Sequence, residues 1–219
     1  MWKLTTSLVL TVCCLAAVAQ QPIPLAEHPR PQLRRDKWMN LNGRWQFQFD
    51  PEASGLSAGW QKVDAPDLSG SIVVPYAWQS RASGIENTDY RGAAWYRRRF
   101  QLPRGWEKDS RRIWLRIERA DYELTAWVNG RKVGSHTGGY TPMAFDITDV
   151  GRIGQDNVLT TRVIDHQKTT QPTGDQTLYT PVSGICGTVW LELAPATRIL
   201  SVGGGRVQIA SGDRNVTYE

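Results

Sequence analysis

The residues that could do chemistry are scattered rather than grouped. Ser135 and His136 are neighbours, but adjacent residues on an extended segment face opposite ways, so they do not form a nucleophile–base unit. His28, His136 and His166 have no metal-ligand spacing, and no metal site is expected. Gly203-Gly204-Gly205 is not followed by Lys-Ser/Thr, so it is not a phosphate loop, and no cofactor is expected. Asn215-Val216-Thr217 is a glycosylation sequon, meaningful only in a eukaryotic secretory pathway. Two polar loops remain as candidates. The first is Ser80–Arg91, with Glu86, Asn87 and Asp89; the second is His166–Ser183, with Gly174-Asp175-Gln176 and Tyr179. The competing reading of both is an ordinary polar connector.

These loops need elements to hold them, and the strongest lie between Ile113 and Thr148. Ile113, Leu115 and Ile117 alternate with Trp114, Arg116 and Glu118, a period of two that marks a half-buried strand. Leu124, Ala126 and Val128 repeat the pattern with Trp127 on the other face. Asn129-Gly130 supplies two residues that tolerate positive φ, as a type I′ hairpin turn requires. Earlier, Trp45, Phe47 and Phe49 line one face of another strand; later, Asn157 to Asp165 and Thr188 to Glu192 read as strands. No stretch has a helical period. Eight or more short strands with turn signals between them predict an all-β sandwich or jelly roll.

Composition narrows the classes. The chain has 219 residues, 40% hydrophobic, enough for one well-cored domain and the start of another. Its ten tryptophans suit both large β cores and carbohydrate-contacting surfaces. The formal charge is +5. Arg97-Arg98-Arg99 is a dense spot, but alternation sends its side chains to opposite faces, which favours a solvated, salt-bridged surface over nucleic-acid binding.

The N-terminus reads as a leader. Lys3 is followed by an apolar run from Leu4 to Ala17, and Ala17-Val18-Ala19 is a small-x-small cleavage site. A mature chain from Gln20, secreted or periplasmic, is expected, with a lipoprotein anchor on Cys13 or Cys14 as the rival. The run is too short to span a bilayer, so no transmembrane segment is expected. Cleavage leaves Cys186 alone, which excludes an internal disulfide; it reads as a small buried hydrophobe rather than an activated thiol.

Several motifs in order resemble the N-terminal domain of glycoside hydrolase family 2, which holds β-galactosidases, β-glucuronidases and β-mannosidases. They are Leu41-Asn42-Gly43-Arg44-Trp45-Gln46-Phe47, Val74-Pro75-Tyr76-Ala77-Trp78-Gln79, Trp95-Tyr96-Arg97-Arg98-Arg99-Phe100, the Trp127-Val128-Asn129-Gly130 to Phe145-Asp146-Ile147-Thr148 series, and Ser183-Gly184-Ile185 to Val189-Trp190-Leu191-Glu192. The resemblance covers about residues 30–195. It implies a jelly-roll β-sandwich of the galactose-binding-domain type over 38–196, after a leader at 1–19 and an extended lead-in at 20–37. Residues 197–219 then look like the first strands of an immunoglobulin-like domain, cut off early.

The same resemblance implies a parent enzyme that hydrolyses O-glycosyl bonds with retention, using two glutamates about 5 Å apart in a later TIM barrel. Glu86, Glu107, Glu118, Glu123 and Glu192 match neither role by motif, so no catalytic residue is expected in this chain. Glu118, Glu123 and Glu192 read as outward, solvated carboxylates on strands. The expected partners are a carbohydrate substrate and the downstream immunoglobulin-like and barrel domains of the same chain; a homo-oligomer is left open. A β-galactosidase-like parent is favoured. In some family members the two loops reach the sugar, which makes Asn87, Asp175, Gln176 and Tyr179 the candidate carbohydrate contacts. The family's Gly-Lys-Gln run reads Gly174-Asp175-Gln176 here, with aspartate in place of lysine. The rivals are a stand-alone carbohydrate-binding module and a purely structural domain.

Overall fold

Alternating apolar residues become strands that bury one face each, and these strands build two facing sheets. A computed structural model describes residues 22–106, 111–166, 179–203, 206–211 and 214–218. Its strands are β1 (Trp38–Asn40), β2 (Gly43–Asp50), β3 (Gly70–Val74), β4 (Gly92–Gln101), β5 (Arg111–Ile117), β6 (Ala120–Asp121), β7 (Glu123–Val128) and β8 (Arg131–Thr137). They continue with β9 (Met143–Asp146), β10 (Asp156–Asp165), β11 (Gly184–Ile185), β12 (Val189–Pro195), β13 (Arg198–Gly203), β14 (Arg206–Ser211) and β15 (Arg214–Tyr218).

One sheet has the order β1-β12-β5-β9 and the other β3-β2-β4-β10-β7-β8, with every paired neighbour antiparallel. The short β6–β11 pair sits between them in sequence, and β13–β15 form a sheet of their own. This is the expected all-β sandwich. No helix of the described residues is long and apolar enough to cross a membrane. The proposed leader lies outside the described residues.

The core forms where the inward faces meet. Ile113, Leu115, Ile117 and Leu191 from the smaller sheet join Trp45, Phe47, Tyr96, Leu124, Ala126, Leu159 and Val163 from the larger one, all buried. Full burial of one such aliphatic side chain stabilises by about 1.5–3 kcal/mol. Phe47 packs edge-on against Phe49 and Tyr96, each at 4.9 Å between ring centres. Trp45 Nε1 donates to the Leu41 carbonyl at 2.8 Å, which satisfies its buried N–H. The hairpin between β7 and β8 turns at Asn129 (φ 51°) and Gly130 (φ 79°), both in the left-handed region as the turn chemistry requires.

Both sheets are also covered on their outer faces, which corrects two expectations. Residues 51–69 fold over the larger sheet, where Trp95 and Trp127 stack at 5.5 Å beside Trp60 and Leu68. Arg97 lies under this loop and is 1% exposed. Its guanidinium donates to the carbonyls of Trp60, Ala65 and Pro66 at 2.6, 3.2 and 2.7 Å. It is therefore a buried clamp on the loop, not a solvated charge. Arg98 donates to the Arg44 carbonyl, and Arg99 alone of the three keeps the expected exposed ion pair, 3.8 Å from Asp67.

On the smaller sheet, Glu192 is 4% exposed rather than outward and solvated. It pairs with Arg116 at 2.8 Å and accepts from Trp190 Nε1 at 3.4 Å. The segment from Pro22 to Lys37 straps this face. His28 sits edge-on to Trp38 and Trp190, at 4.7 and 5.9 Å. Asn42 Nδ2 donates to the Pro24 carbonyl, and the Leu193 amide to the Lys37 carbonyl.

Candidate functional site

The first loop singled out in the sequence meets the described end of the second, residues 179–183. The first begins just after Gln79. Ser80 caps a single 3-10 turn, Arg81–Ser83, by accepting from the Ala82 amide, and Gly84 ends the turn in the left-handed conformation (φ 79°). Beneath it, Trp78 is fully buried and edge-on to Phe49 and Tyr90 at 5.6 and 5.9 Å. Tyr90 donates its hydroxyl to the Ala93 carbonyl at 2.6 Å, and burial raises its pKa. The aromatic floor fixes the loop from below.

Asn87 is partly exposed, and its side chain organises the loop. Its Oδ1 accepts from the Asp89 and Tyr90 amides at 3.0 and 2.9 Å, while its backbone amide donates to the Trp78 carbonyl at 2.9 Å. Those bonds use the Asn87 oxygen to shape the turn. Tyr179 is 70% exposed. Asp175 and Gln176 lie outside the described residues. Ser80 and Thr88 from the first loop and Thr180, Pro181 and Val182 from the second line one open depression of about 320 Å³. Hydroxyls and an apolar wall around a shallow hollow suit a polar ligand with some hydrocarbon surface.

Sequence reasoning missed the groups that join the loop bases. Gln79 Nε2 donates to Ser183 Oγ at 2.7 Å, the Ser183 amide donates to Gln79 Oε1 at 3.0 Å, and Ser183 Oγ donates to Asp165 Oδ2 at 2.7 Å. The only sequence signal was that Gln79 and Ser183 both lie in the family-like motifs; nothing local pairs residues so far apart. Next to Ser183, Gly184 has φ 89°, and a Cβ there would fall 2.1 Å from the Tyr96 hydroxyl and 2.8 Å from the Trp78 ring. The Ser-Gly-Ile motif therefore needs glycine for both backbone and space.

Across β6–β11, Asp121 pairs in register with Gly184. Burial, and then the neighbouring Asp165 carboxylate, push the Asp121 pKa up to about 6, against a smaller opposing pull from Arg119. The Cys186 thiol is pushed up to about 11 by burial, so it stays protonated at neutral pH and is not an activated nucleophile. His136 Nε2 lies 2.9 Å from Thr141 Oγ1, not against Ser135. Among the described residues no group of three or more His, Cys, Asp or Glu side chains could hold a metal.

The described residues thus build an antiparallel, jelly-roll-like β-sandwich. Residues 38–195 match the family profile described as the sugar binding domain of glycosyl hydrolases family 2, and the chain belongs to that family. It is 33% identical over 132 residues to a β-glucuronidase of Paenibacillus borealis, covering 60% of this chain and 22% of that protein. It is 28% identical over 165 residues to a β-galactosidase of Thermoanaerobacter pseudethanolicus, covering 74% of this chain and 20% of that protein. The crystal structure of Ruminococcus gnavus β-glucuronidase superposes with a TM-score of 0.62 at 26% identity, covering 85% of this chain and 35% of that one. The chain thus spans about a fifth of the length of the curated relatives it matches.

Proposed function

We propose that this chain is the N-terminal, non-catalytic sandwich of a secreted β-glycosidase, and that its two loops complete the innermost sugar subsite supplied by a downstream catalytic domain. The observation that carries this reading is the convergence of Ser80, Thr88 and Thr180–Val182 on one depression. The contacts proposed from the sequence are Asn87, Asp175, Gln176 and Tyr179; Asn87 and Tyr179 adjoin the lining residues Thr88 and Thr180 in sequence but are not part of the lining. In such an enzyme the bond-breaking carboxylates belong to the other domain, so the 219-residue chain alone turns over no glycoside. We further propose that a leader at 1–19 directs export and that β13–β15 lead into an immunoglobulin-like domain.

The substrate proposed first is a β-glucuronide. Support comes from the relatives named β-glucuronidase and from the Ruminococcus gnavus enzyme solved with D-glucuronic acid. The β-galactosidase relative makes a β-galactoside, the substrate expected from the sequence, the second candidate. The test is turnover of nitrophenyl β-glucuronide, β-galactoside and β-mannoside by the longer protein and by this chain alone. Hydrolysis by the longer protein and none by the chain is expected. Turnover by the chain, abolished by changing one of its own glutamates, would overturn the non-catalytic assignment. Absence of turnover by the longer protein on all three would leave a sugar-binding module as the better reading.

A further inference from the structure

We infer that Gln79, Ser183 and Asp165 form a latch that sets the base of the first loop against residues 180–183, and with it the shape of the depression they share. Gln79 immediately precedes the first loop, while Asp165 ends β10 and Ser183 precedes β11, so these two bracket the second loop. The three side chains are bonded in series at 2.7–3.0 Å. Gln79 is 7% exposed, Ser183 0% and Asp165 2%.

The chemistry of the series is directional. Ser183 Oγ accepts a hydrogen bond from Gln79 Nε2 and donates one to the Asp165 carboxylate. The Gln79 carbonyl takes the Ser183 amide in return. A buried polar series of this kind is satisfied in one arrangement and leaves unpaired groups in any other. Three apolar side chains would fill the same space without fixing a register between the loop bases, and buried carboxylates are costly to keep for packing alone. The backbone follows the side chains, since the Trp78 amide reaches the Ser183 carbonyl and the Asn87 amide reaches the Trp78 carbonyl. A shift of Ser183 is thereby passed to the 80–91 loop. Ser183 and Asp165 act as positioning residues behind the depression, whereas Gln79 also lines it, so Ser183→Ala is the variant that reads positioning alone.

The inference rests on the reading of the loops as sugar-facing, and the experiment separates the two. Ser183→Ala and Gln79→Met are made in the chain and in the longer protein. Hydrogen exchange of the chain is expected to accelerate tenfold or more at residues 78–90 and 182–185, with the amides of the β4–β10 pairing unchanged. In the longer protein kcat/KM on its best β-glycoside is expected to fall fivefold or more at an unchanged pH profile. Uniform acceleration along the chain, or none, overturns the latch. Local acceleration with wild-type kcat/KM overturns its role in shaping the subsite. If the unaltered longer protein hydrolyses no β-glycoside, the sugar reading fails, and the exchange pattern still decides whether the latch exists.

Discussion

Gly184 stands so close to Tyr96 that a methyl group on its Cα would lie 2.1 Å from the phenol oxygen. The tyrosine is fully buried, accepts a hydrogen bond from the Ile185 amide at 3.3 Å, and cannot swing aside without opening the core. Gly184→Ala therefore combines a left-handed backbone with an overpacked contact. It should destabilise the domain by about 2–4 kcal/mol, from strain and overpacking together. Chemical denaturation of the variant checks this, and a loss below measurement error would mean that Tyr96 yields more readily than its packing implies.

Asp121 carries a pH signature. Its folded-state pKa, about 6, lies above the ordinary aspartate value near 3.9. The folded chain therefore holds a proton that the unfolded chain releases, and stability from this group falls as pH rises from about 4 to about 6, then stays level. Asp121→Asn removes the effect. The variant should be more stable than wild type at pH 7.5, by about 1 kcal/mol once solvent screening of this partly exposed group is allowed for, and no more stable at pH 4. Melting curves at the two pH values decide it; a gain confined to pH 4 would reverse the sign.

Arg116 and Glu192 should depend on each other. Their heads are 2.8 Å apart, with the side chains 12% and 5% exposed. Removing one partner leaves a buried charge unmatched, so Arg116→Met should cost about 3 kcal/mol. The double variant Arg116→Met with Glu192→Leu should recover most of that loss. A double-mutant cycle with a coupling near zero would show that the pair contributes nothing beyond its packing.

The hairpin turn offers a simpler test. Gly130→Val forces a β-branched side chain to φ 79°, at a cost of about 1–2 kcal/mol. Thermal unfolding should show the loss, and Gly130→Asn, which tolerates that region, should show much less.

The second loop is tested through chemistry rather than stability. Asp175→Ala and Tyr179→Ala in the longer protein should each lower kcat/KM about tenfold, the scale of one charge-assisted hydrogen bond. Tyr179 is 70% exposed, so its replacement should leave the melting temperature near wild type. Wild-type kinetics in both would reduce the loop to a connector.

What could be read in advance was local. Ile113, Leu115 and Ile117 announce a buried face because alternation is written in consecutive residues, and Asn129-Gly130 announces a turn because φ preference belongs to single residues. Arg97 was misjudged for the converse reason. Its burial depends on carbonyls of Trp60, Ala65 and Pro66, and nothing in Arg97-Arg98-Arg99 shows that a loop will fold over it. Glu192 likewise meets Arg116 across two strands. The joint at Gln79, Ser183 and Asp165 was hidden by distance along the chain, although the polar loops that it anchors were visible as composition.

The strap from Pro22 to Lys37 and the strand that follows it impose an order of events during synthesis. β1 has β12 as its neighbour in the smaller sheet, and β12 also separates it from β5. β1 therefore has no strand to pair with until β12 has been made. At a synthesis rate of about 5–20 residues per second, Trp38 waits roughly 10–30 s for Pro195. During that interval Trp38 and His28 have no ring of Trp190 to rest against. Closure of the sandwich is thus timed by translation of its C-terminal quarter, and slowing synthesis between Asp165 and Val189 lengthens that interval without altering a single contact in the finished fold.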